Sequence, residues 1–384
     1  MSGRSRRSTP SSEEAVAARP RIAPERTALV LGGGGLKGFA HIGVLRALDE
    51  RGIRPALYAG TSIGAFIAAA RVKGMSLAEM EQRARSLRKR DLFRLNHMGM
   101  VLERMHSPSL YLGGPLHDLC NAVGPRGTFR DIETPLLINT VDLDRGCQVV
   151  WGLPGLQDVY VNDAVYASCA LPGFFPPGQV GDRLCIDGGT IDNLPVAVAS
   201  FGMDAIIAVE VGSEDVTPEE NIVSQGFAAI YMRAATSMMR ALQVHQLLQW
   251  SGPPMLLIRP AVWKYHWFGF GNTTELIQAG YDAASKALDE VGDALFSTGG
   301  IYPKRLVDVV VDREKCIGCT TCVSKAPKLM AMDATGKAYA KASPVEWARP
   351  DGEIIYHCPT RAISVRLVEQ ARVPLRTSEH DAAD

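Results

Sequence analysis

The sequence predicts an α/β protein built as two folded units, a large N-terminal domain with a parallel sheet and a small cysteine-bearing module behind it. Three observations carry that expectation. The chain has 384 residues, beyond the size at which one hydrophobic core usually stops growing. Short apolar runs alternate with helical stretches, the pattern of strands joined by crossover helices. Four of the eight cysteines, Cys316, Cys319, Cys322 and Cys358, gather near the C-terminus.

Composition narrows the classes. Apolar residues make up 46% and charged residues 21%, close to the average for soluble globular proteins. Lys plus Arg (41) balances Asp plus Glu (41), so no global field favours nucleic acid, and any membrane contact must be local. No apolar run approaches the roughly 18 to 20 residues needed to cross a bilayer. Arg6-Arg7 is followed by polar residues where an export signal needs an apolar stretch. The cysteines are too few and too clustered for a secreted disulfide scaffold, which favours a reducing cytoplasm.

In chain order, residues 1–26 are rich in Ser, Arg, Glu and Pro and read as a disordered tail. Ala28–Leu31 reads as a strand, followed by a glycine cluster and a helix from Ala40 to Arg51. Ala56–Gly60 reads as a second strand, with a helix after Ser62. Further strands are expected at Leu136–Val141, Gln148–Trp151, Ala205–Val211 and Met255–Ile258. Ser76 to Arg94 reads as one amphipathic helix carrying Arg83, Arg85, Arg88, Lys89 and Arg90. Its basic face suits either anionic head groups or, more simply, solvent. A long helix is expected from Gly226 to Trp250, and a last one from Thr274 to Phe296. The aromatic stretch Trp263 to Phe270 fits a lid or lipid contact as well as ordinary core packing. A domain boundary is placed near residue 300, with the large domain at 27–298, a linker and strand over 301–311, the small module at 305–370 and a flexible tail at 371–384.

Gly60-Thr61-Ser62-Ile63-Gly64 is a Gly-x-Ser-x-Gly sequence between a strand and a helix, the setting in which that motif projects a reactive serine. At a helix N-terminus, Ser62 would sit where developing negative charge is favoured. Gly32-Gly33-Gly34-Gly35-Leu36-Lys37-Gly38 could cradle phosphate, but Lys37 is followed by Gly38 and Phe39 where a Walker loop needs Ser or Thr. Gly33 to Gly38 satisfies the looser dinucleotide pattern, while consecutive glycine amides equally suit an oxyanion hole. Asp187-Gly188-Gly189 puts a carboxylate on a glycine-permitted turn. His41, His97, His106, His117, His245 and His266 lie in this portion of the chain, and none sits in a strand-end turn typical of a triad histidine. The residues by themselves do not select Asp187 over Asp142, Asp182 or Asp192.

Taken in order, the Gly-Gly-Gly-x-Lys-Gly loop, Gly-Thr-Ser-Ile-Gly and Asp-Gly-Gly resemble the patatin-like phospholipase family, with Ala167-Ser-Cys-Ala-Leu-Pro-Gly-Phe-Phe-Pro-Pro177 before the last motif as in that family. The resemblance covers about 27–296 and implies a three-layer α/β/α hydrolase fold. It also implies Ser62 as nucleophile, Asp187 as base of a Ser/Asp dyad, and amides of Gly33, Gly34 and Gly35 as oxyanion donors. Lys37, Gly38, Gly60, Gly64, Gly188 and Gly189 would support these motifs. The substrates implied are phospholipids or lysophospholipids.

Cys316-x-x-Cys319-x-x-Cys322 with a remote Cys358-Pro359 has the spacing of a [4Fe–4S] site, whereas zinc sites usually pair two Cys-x-x-Cys units. Residues 307–368 resemble small bacterial single-cluster ferredoxins, which implies an α+β ferredoxin-like module with a 4Fe-4S cluster held by those four cysteines. Ala326 before Pro327 stands where two-cluster ferredoxins carry another cysteine, so one cluster is expected. Cys120, Cys147, Cys169 and Cys185 read as buried inert thiols. The expected function is hydrolysis of lipid acyl esters by a cytoplasmic enzyme touching membranes at most peripherally, with the iron–sulfur module in a regulatory, structural or redox role. The rival is an electron-transfer or redox-sensing protein on a lipid-binding scaffold. The partners admitted are an acyl-ester substrate and a redox partner, not nucleic acid.

Overall fold

The computed structural model describes residues 26–97, 107–212, 221–292, 299–348, 352 and 354–368. The expected tails fall outside these residues apart from Arg26, as do His106 and the end of the last helix at Phe296.

Nine strands form the main sheet: β1 Thr27–Leu31, β2 Leu57–Thr61, β3 Leu136–Asp142, β4 Cys147–Trp151, β5 Gly178–Val180, β6 Arg183–Asp187, β7 Ala205–Val209, β8 Met255–Ile258 and β9 Ile301–Tyr302. Their order is β5-β6-β3-β2-β1-β7-β8-β9, with β4 also paired to β3. The expected parallel sheet is present from β3 through β9. It is, however, mixed, because β4, β5 and β6 run antiparallel. Residues 143–146 and 181–182, which join these strands, are too short for a parallel crossover.

Layering follows from alternation along the strands. Leu29 and Leu31 of β1 enter one core, and Ala28 and Val30 enter the other. The larger core is closed by α1 (Ala40–Glu50), α2 (Ile63–Val72) and the helices Gly114–Val123, Val161–Cys169 and Thr273–Val291. Helix Thr273–Val291 crosses α1 so closely that a Cβ on Gly280 would lie 1.8 Å from the Ala40 carbonyl oxygen. The opposite face is covered by helix Val196–Ala199 and the end of helix Phe227–Leu248. The result is a three-layer α/β/α domain, as expected. Among the described residues no helix is long and apolar enough to cross a membrane.

Two elements differ from expectation. The single helix over Ser76–Arg94 is divided into Leu77–Ser86 and Lys89–Leu92. Leu87 turns extended between them (ψ 129) and lines a cavity instead of continuing the helix. On the first piece, Arg83 pairs with Glu79 and Arg85 with Glu81, so the basic face is already matched by acids one turn back. Ile301–Tyr302, expected in a linker, extends the main sheet beside β8.

Only residues 303–304 separate β9 from β10 (Arg305–Val311), the centre of the module. β10 lies antiparallel between β13 (Val345–Trp347) and β14 (Ile363–Leu367), while β11 (Met330–Met332) pairs with β12 (Ala338–Ala340). With helices Thr321–Lys325 and Ile354–His357 this is an α+β unit with its own core around Val307, Val309, Met330 and Trp347.

Candidate active site and cysteine cavity

The register of three strands brings Ser62 to Asp187. Ile138 of β3 pairs with Gly60 of β2 on one edge and Trp151 of β4 on the other. β2 stops at Thr61, beside Asn139; Thr140 then pairs with Asp187 of β6 while still paired to β4. β6 therefore takes up the edge of β3 that β2 vacates, and the two strands end against each other. Ser62 follows Thr61 and Asp187 closes β6, so the serine comes beside the carboxylate and its hydroxyl favours the charged form.

Ser62 holds a left-handed conformation (φ 55) at the N-terminus of α2, a strained state for a non-glycine residue that needs support from its surroundings. Gly64 supplies room for it, since a Cβ there would lie 2.0 Å from the Leu31 carbonyl oxygen. Gly60 packs under the same turn, where a Cβ would fall 2.5 Å from the Ala65 amide nitrogen. The Ser62 amide donates to Ser168 Oγ (2.9 Å), whose hydroxyl donates to the Asn139 carbonyl (2.7 Å). Ser168 belongs to the Ala167–Pro177 segment, and this contact gives that segment a physical role.

Asp187 is 3% exposed. Burial pushes its carboxyl up to about 6, against the Gly189 amide (2.8 Å) and the Ser62 hydroxyl, which favour the carboxylate. Gly188 packs on Asn139, where a Cβ would meet the carbonyl oxygen at 2.5 Å. The other aspartates are committed elsewhere. Asp142 binds Arg145 (2.7 Å) and Arg183 (3.4 Å) and is held low by the Arg145 guanidinium. Asp182 points to solvent, and Asp192 accepts from Gln148, Gln246 and the Leu194 amide.

The glycine loop runs beside Ser62 after β1. Gly33 donates to the Asn193 carbonyl (3.3 Å) and accepts from Asn193 Nδ2 (3.1 Å). Its amide is thus engaged, which corrects the expectation that Gly33 is a free oxyanion donor. The amides of Gly34 and Gly35 have no hydrogen-bond partner among the described residues. Because the peptide is planar and trans, turning the Gly33 carbonyl to Asn193 turns the Gly34 N–H the other way. Lys37 is fully buried, its ammonium 5.5 Å from the centroid of the Trp267 ring, and Gly38 packs against Ile63. His41 lies beneath the loop, Nε2 2.9 Å from the Gly32 carbonyl, and burial pushes its imidazole down to about 4.

Ser62 and Asp187 open into an apolar pocket walled by Leu36, Phe66, Phe93, Phe175 and Phe268. Among the described residues no histidine lines it. Trp267 and Phe268, from the aromatic stretch, form one wall. The Trp267 carbonyl accepts from the Leu36 amide (2.7 Å), and the Phe268 ring lies edge-on to Phe93 at 5.1 Å. Trp263, 48% exposed, stays outside. Cys169 also lines the cavity, its thiol raised by a hydrogen bond to Cys120 and by burial. Cys185 is buried, but Cys147 is exposed at the start of β4, contrary to expectation.

Asn193, Ser168 and Trp267 were not singled out from the sequence. Asn193 lies six residues beyond Asp187, and an amide so close to the motif was the one available signal.

In the module, Cys316, Cys319, Cys322 and Cys358 line one small cavity. The Ala338 amide donates to Cys316 Sγ (3.5 Å) and the Ala362 amide to Cys358 Sγ (3.3 Å). The Thr321 hydroxyl and amide hold the Cys319 thiol below its ordinary value. Among the described residues, no three Cys, His, Asp or Glu side chains converge tightly enough to hold a single ion. Four sulfurs spread around one amide-lined cavity fit a polynuclear cluster better than a lone zinc.

Residues 29–200 match the patatin-like phospholipase family and residues 309–354 the 4Fe-4S single cluster domain. Patatin-like phospholipase domain-containing protein 6 of Mus musculus is 36% identical over 198 residues, 50% of this chain and 14% of that protein. Lysophospholipase nte1 of Emericella nidulans is 29% identical over 310 residues, 71% of this chain and 18% of that protein. The chain therefore spans less than a fifth of the length of either relative. The crystal structure of VipD from Legionella pneumophila superposes with a TM-score of 0.43 at 17% identity, over 69% of this chain and 67% of that one. The chain carries a patatin-like phospholipase domain followed by a single-cluster 4Fe-4S domain.

Proposed function

We propose that this chain hydrolyses acyl esters of lipids, with phospholipids or lysophospholipids as the substrate class and Ser62 and Asp187 as the catalytic pair. The observation that carries the reading is Ser62 set by the strand register beside a buried Asp187 in the lining of one apolar pocket. A carboxyl raised to about 6 is a better proton acceptor than an exposed aspartate and is still ionised at neutral pH.

In the first step Asp187 takes the Ser62 proton as Oγ attacks the ester carbonyl carbon. The carbonyl electrons move to oxygen, where the Gly34 and Gly35 amides donate to the oxyanion. Collapse expels the alcohol, which leaves with the proton from Asp187. Water, deprotonated by the same carboxylate, then attacks the acyl-serine ester and regenerates the enzyme. Asn193 holds the Gly33–Gly34 peptide in the orientation this step needs. The lysophospholipase name of one relative and the apolar cavity both support a lipid substrate, and any membrane contact is peripheral.

Cys316, Cys319, Cys322 and Cys358 are assigned to a 4Fe-4S cluster, which would supply one-electron chemistry when bound. An electron-transfer role for the module is the second reading. It is favoured by the exposure of Cys319 and of Ile317 (65%), which leaves one side of the cluster cavity at the surface for a redox partner.

The test is hydrolysis of a chromogenic acyl ester and of phospholipid vesicles by anaerobically purified protein, with Ser62→Ala beside it. Activity that vanishes in the variant upholds the hydrolase. An inactive wild type with a reducible cluster turns the assignment to electron transfer.

A further inference from the structure

Behind the pocket at Ser62 lies a second apolar one. The two share four walls, Phe39, Phe66, Leu87 and Leu119. Helix α2 runs under both: Ser62 and Phe66 face the first, Phe66 and Ala70 the second. Residues four apart share a helix face, so Ser62, Phe66 and Ala70 form one track. At about 1.5 Å of rise per residue, Ala70 lies roughly 12 Å beyond the nucleophile.

We infer that the second cavity receives the distal part of a long fatty acyl chain whose ester carbonyl sits at Ser62, with Phe66 as the partition the chain must pass. This deepens, and rests on, the hydrolase reading above. Two apolar spaces adjoin along one helix face. Phe66, in the middle of a helix packed on the sheet, is only half-buried because its ring borders both. The far chamber is closed by Met75 and Met80, flexible side chains that adapt to chain ends of different length. Its one charged lining residue, Arg83, is ion-paired with Glu79 at 3.0 Å on the outer face. The chamber thus presents hydrocarbon to hydrocarbon and holds no polar group aimed at a head group.

Two substitutions act in opposite directions. Ala70→Phe fills the far chamber from a position that does not itself line the first, and Phe66→Ala removes the partition. Each is assayed on butanoyl and palmitoyl esters, with a thermal melt to verify folding. Palmitate binding is measured in parallel by Trp fluorescence on the Ser62→Ala background. Ala70→Phe should lower the palmitoyl-to-butanoyl ratio of kcat/KM by about tenfold or more, as expected when two or three methylenes lose their contacts. Palmitate affinity should fall in step, and Phe66→Ala should raise the ratio. Unchanged ratios and unchanged palmitate binding in both folded variants would overturn the inference. If no ester is hydrolysed at all, the proposed reaction fails, while the binding series still decides the fate of the chamber.

Discussion

The two sites of this chain are built in opposite ways. The serine site is assembled by the sheet itself, because the register of β2, β3 and β6 fixes Ser62 against Asp187 before any substrate arrives. The cysteine site hangs on loops around a small core, with Thr320 (φ 61) and Arg361 (φ 53) in left-handed conformations on its two segments. Cys316 and Cys322 are themselves buried members of that core. A site fixed by long-range strand pairing should tolerate loss of its ligand. One whose ligands are part of the core should depend on it.

The sharpest break between the two is Ser62→Ala, which should lower ester hydrolysis by about 10⁴-fold or more. The visible absorption of the cluster should stay unchanged. Next comes Asn193→Ala, which frees the Gly33–Gly34 peptide. It should cost about 10²-fold in kcat with little change in KM, the pattern of a lost transition-state donor. A rise in KM with kcat retained would mean that Asn193 serves substrate binding instead.

Removal of iron, or Cys358→Ser, tests the other side of the comparison. The module should lose its cooperative melt while the α/β domain keeps most of its hydrolysis. The link to watch is helix Phe227–Leu248, on which Arg240 stacks over Tyr356 at 4.8 Å and Gln243 approaches Asn193 at 3.5 Å. If hydrolysis collapses together with the module, that helix couples the sites and the independence drawn here is wrong.

A smaller effect follows from the carboxyl of Asp187, raised in the folded protein to about 6 from an ordinary value of 3.8. The folded state then holds this proton more tightly than the unfolded chain, so its stabilising contribution is full below about pH 4 and is lost as pH rises through 6. The cost of ionisation is at most about 3 kcal/mol above that window. Asp187→Asn should therefore abolish hydrolysis and yet melt higher than wild type at pH 8, with the gap closing at pH 4. The smallest effect is at Cys147, which should react with a thiol reagent in the folded protein while buried Cys120 and Cys185 do not.

Much of this was legible in the chain. Strand–turn–helix punctuation marked β1, β2 and the Ser62 turn because each is local, a few residues around glycines whose space the fold consumes. Cys316, Cys319 and Cys322 were legible for the same reason, and the remote Cys358 through the proline that follows it. Asp187 was reached by family resemblance alone, since its meeting with Ser62 depends on two strands sharing one edge of β3, a relation no local pattern encodes. The mixed sheet was missed although the short 143–146 turn marks a hairpin. Leu87 was read as helical because its apolar spacing fitted, but it serves a cavity. Gly33 was read with its neighbours because the sequence does not reveal that Asn193 occupies its amide.

The most direct measurement is the pH dependence of labelling by a fluorophosphonate, with the modified residue found by mass spectrometry, in wild type and Asp187→Asn. The account predicts a single label on Ser62, at a rate that rises through about pH 6 in wild type and is slow and flat in the variant. A label on another residue, or an Asp187→Asn protein that reacts as fast and with the same profile, would contradict the Ser62–Asp187 pair.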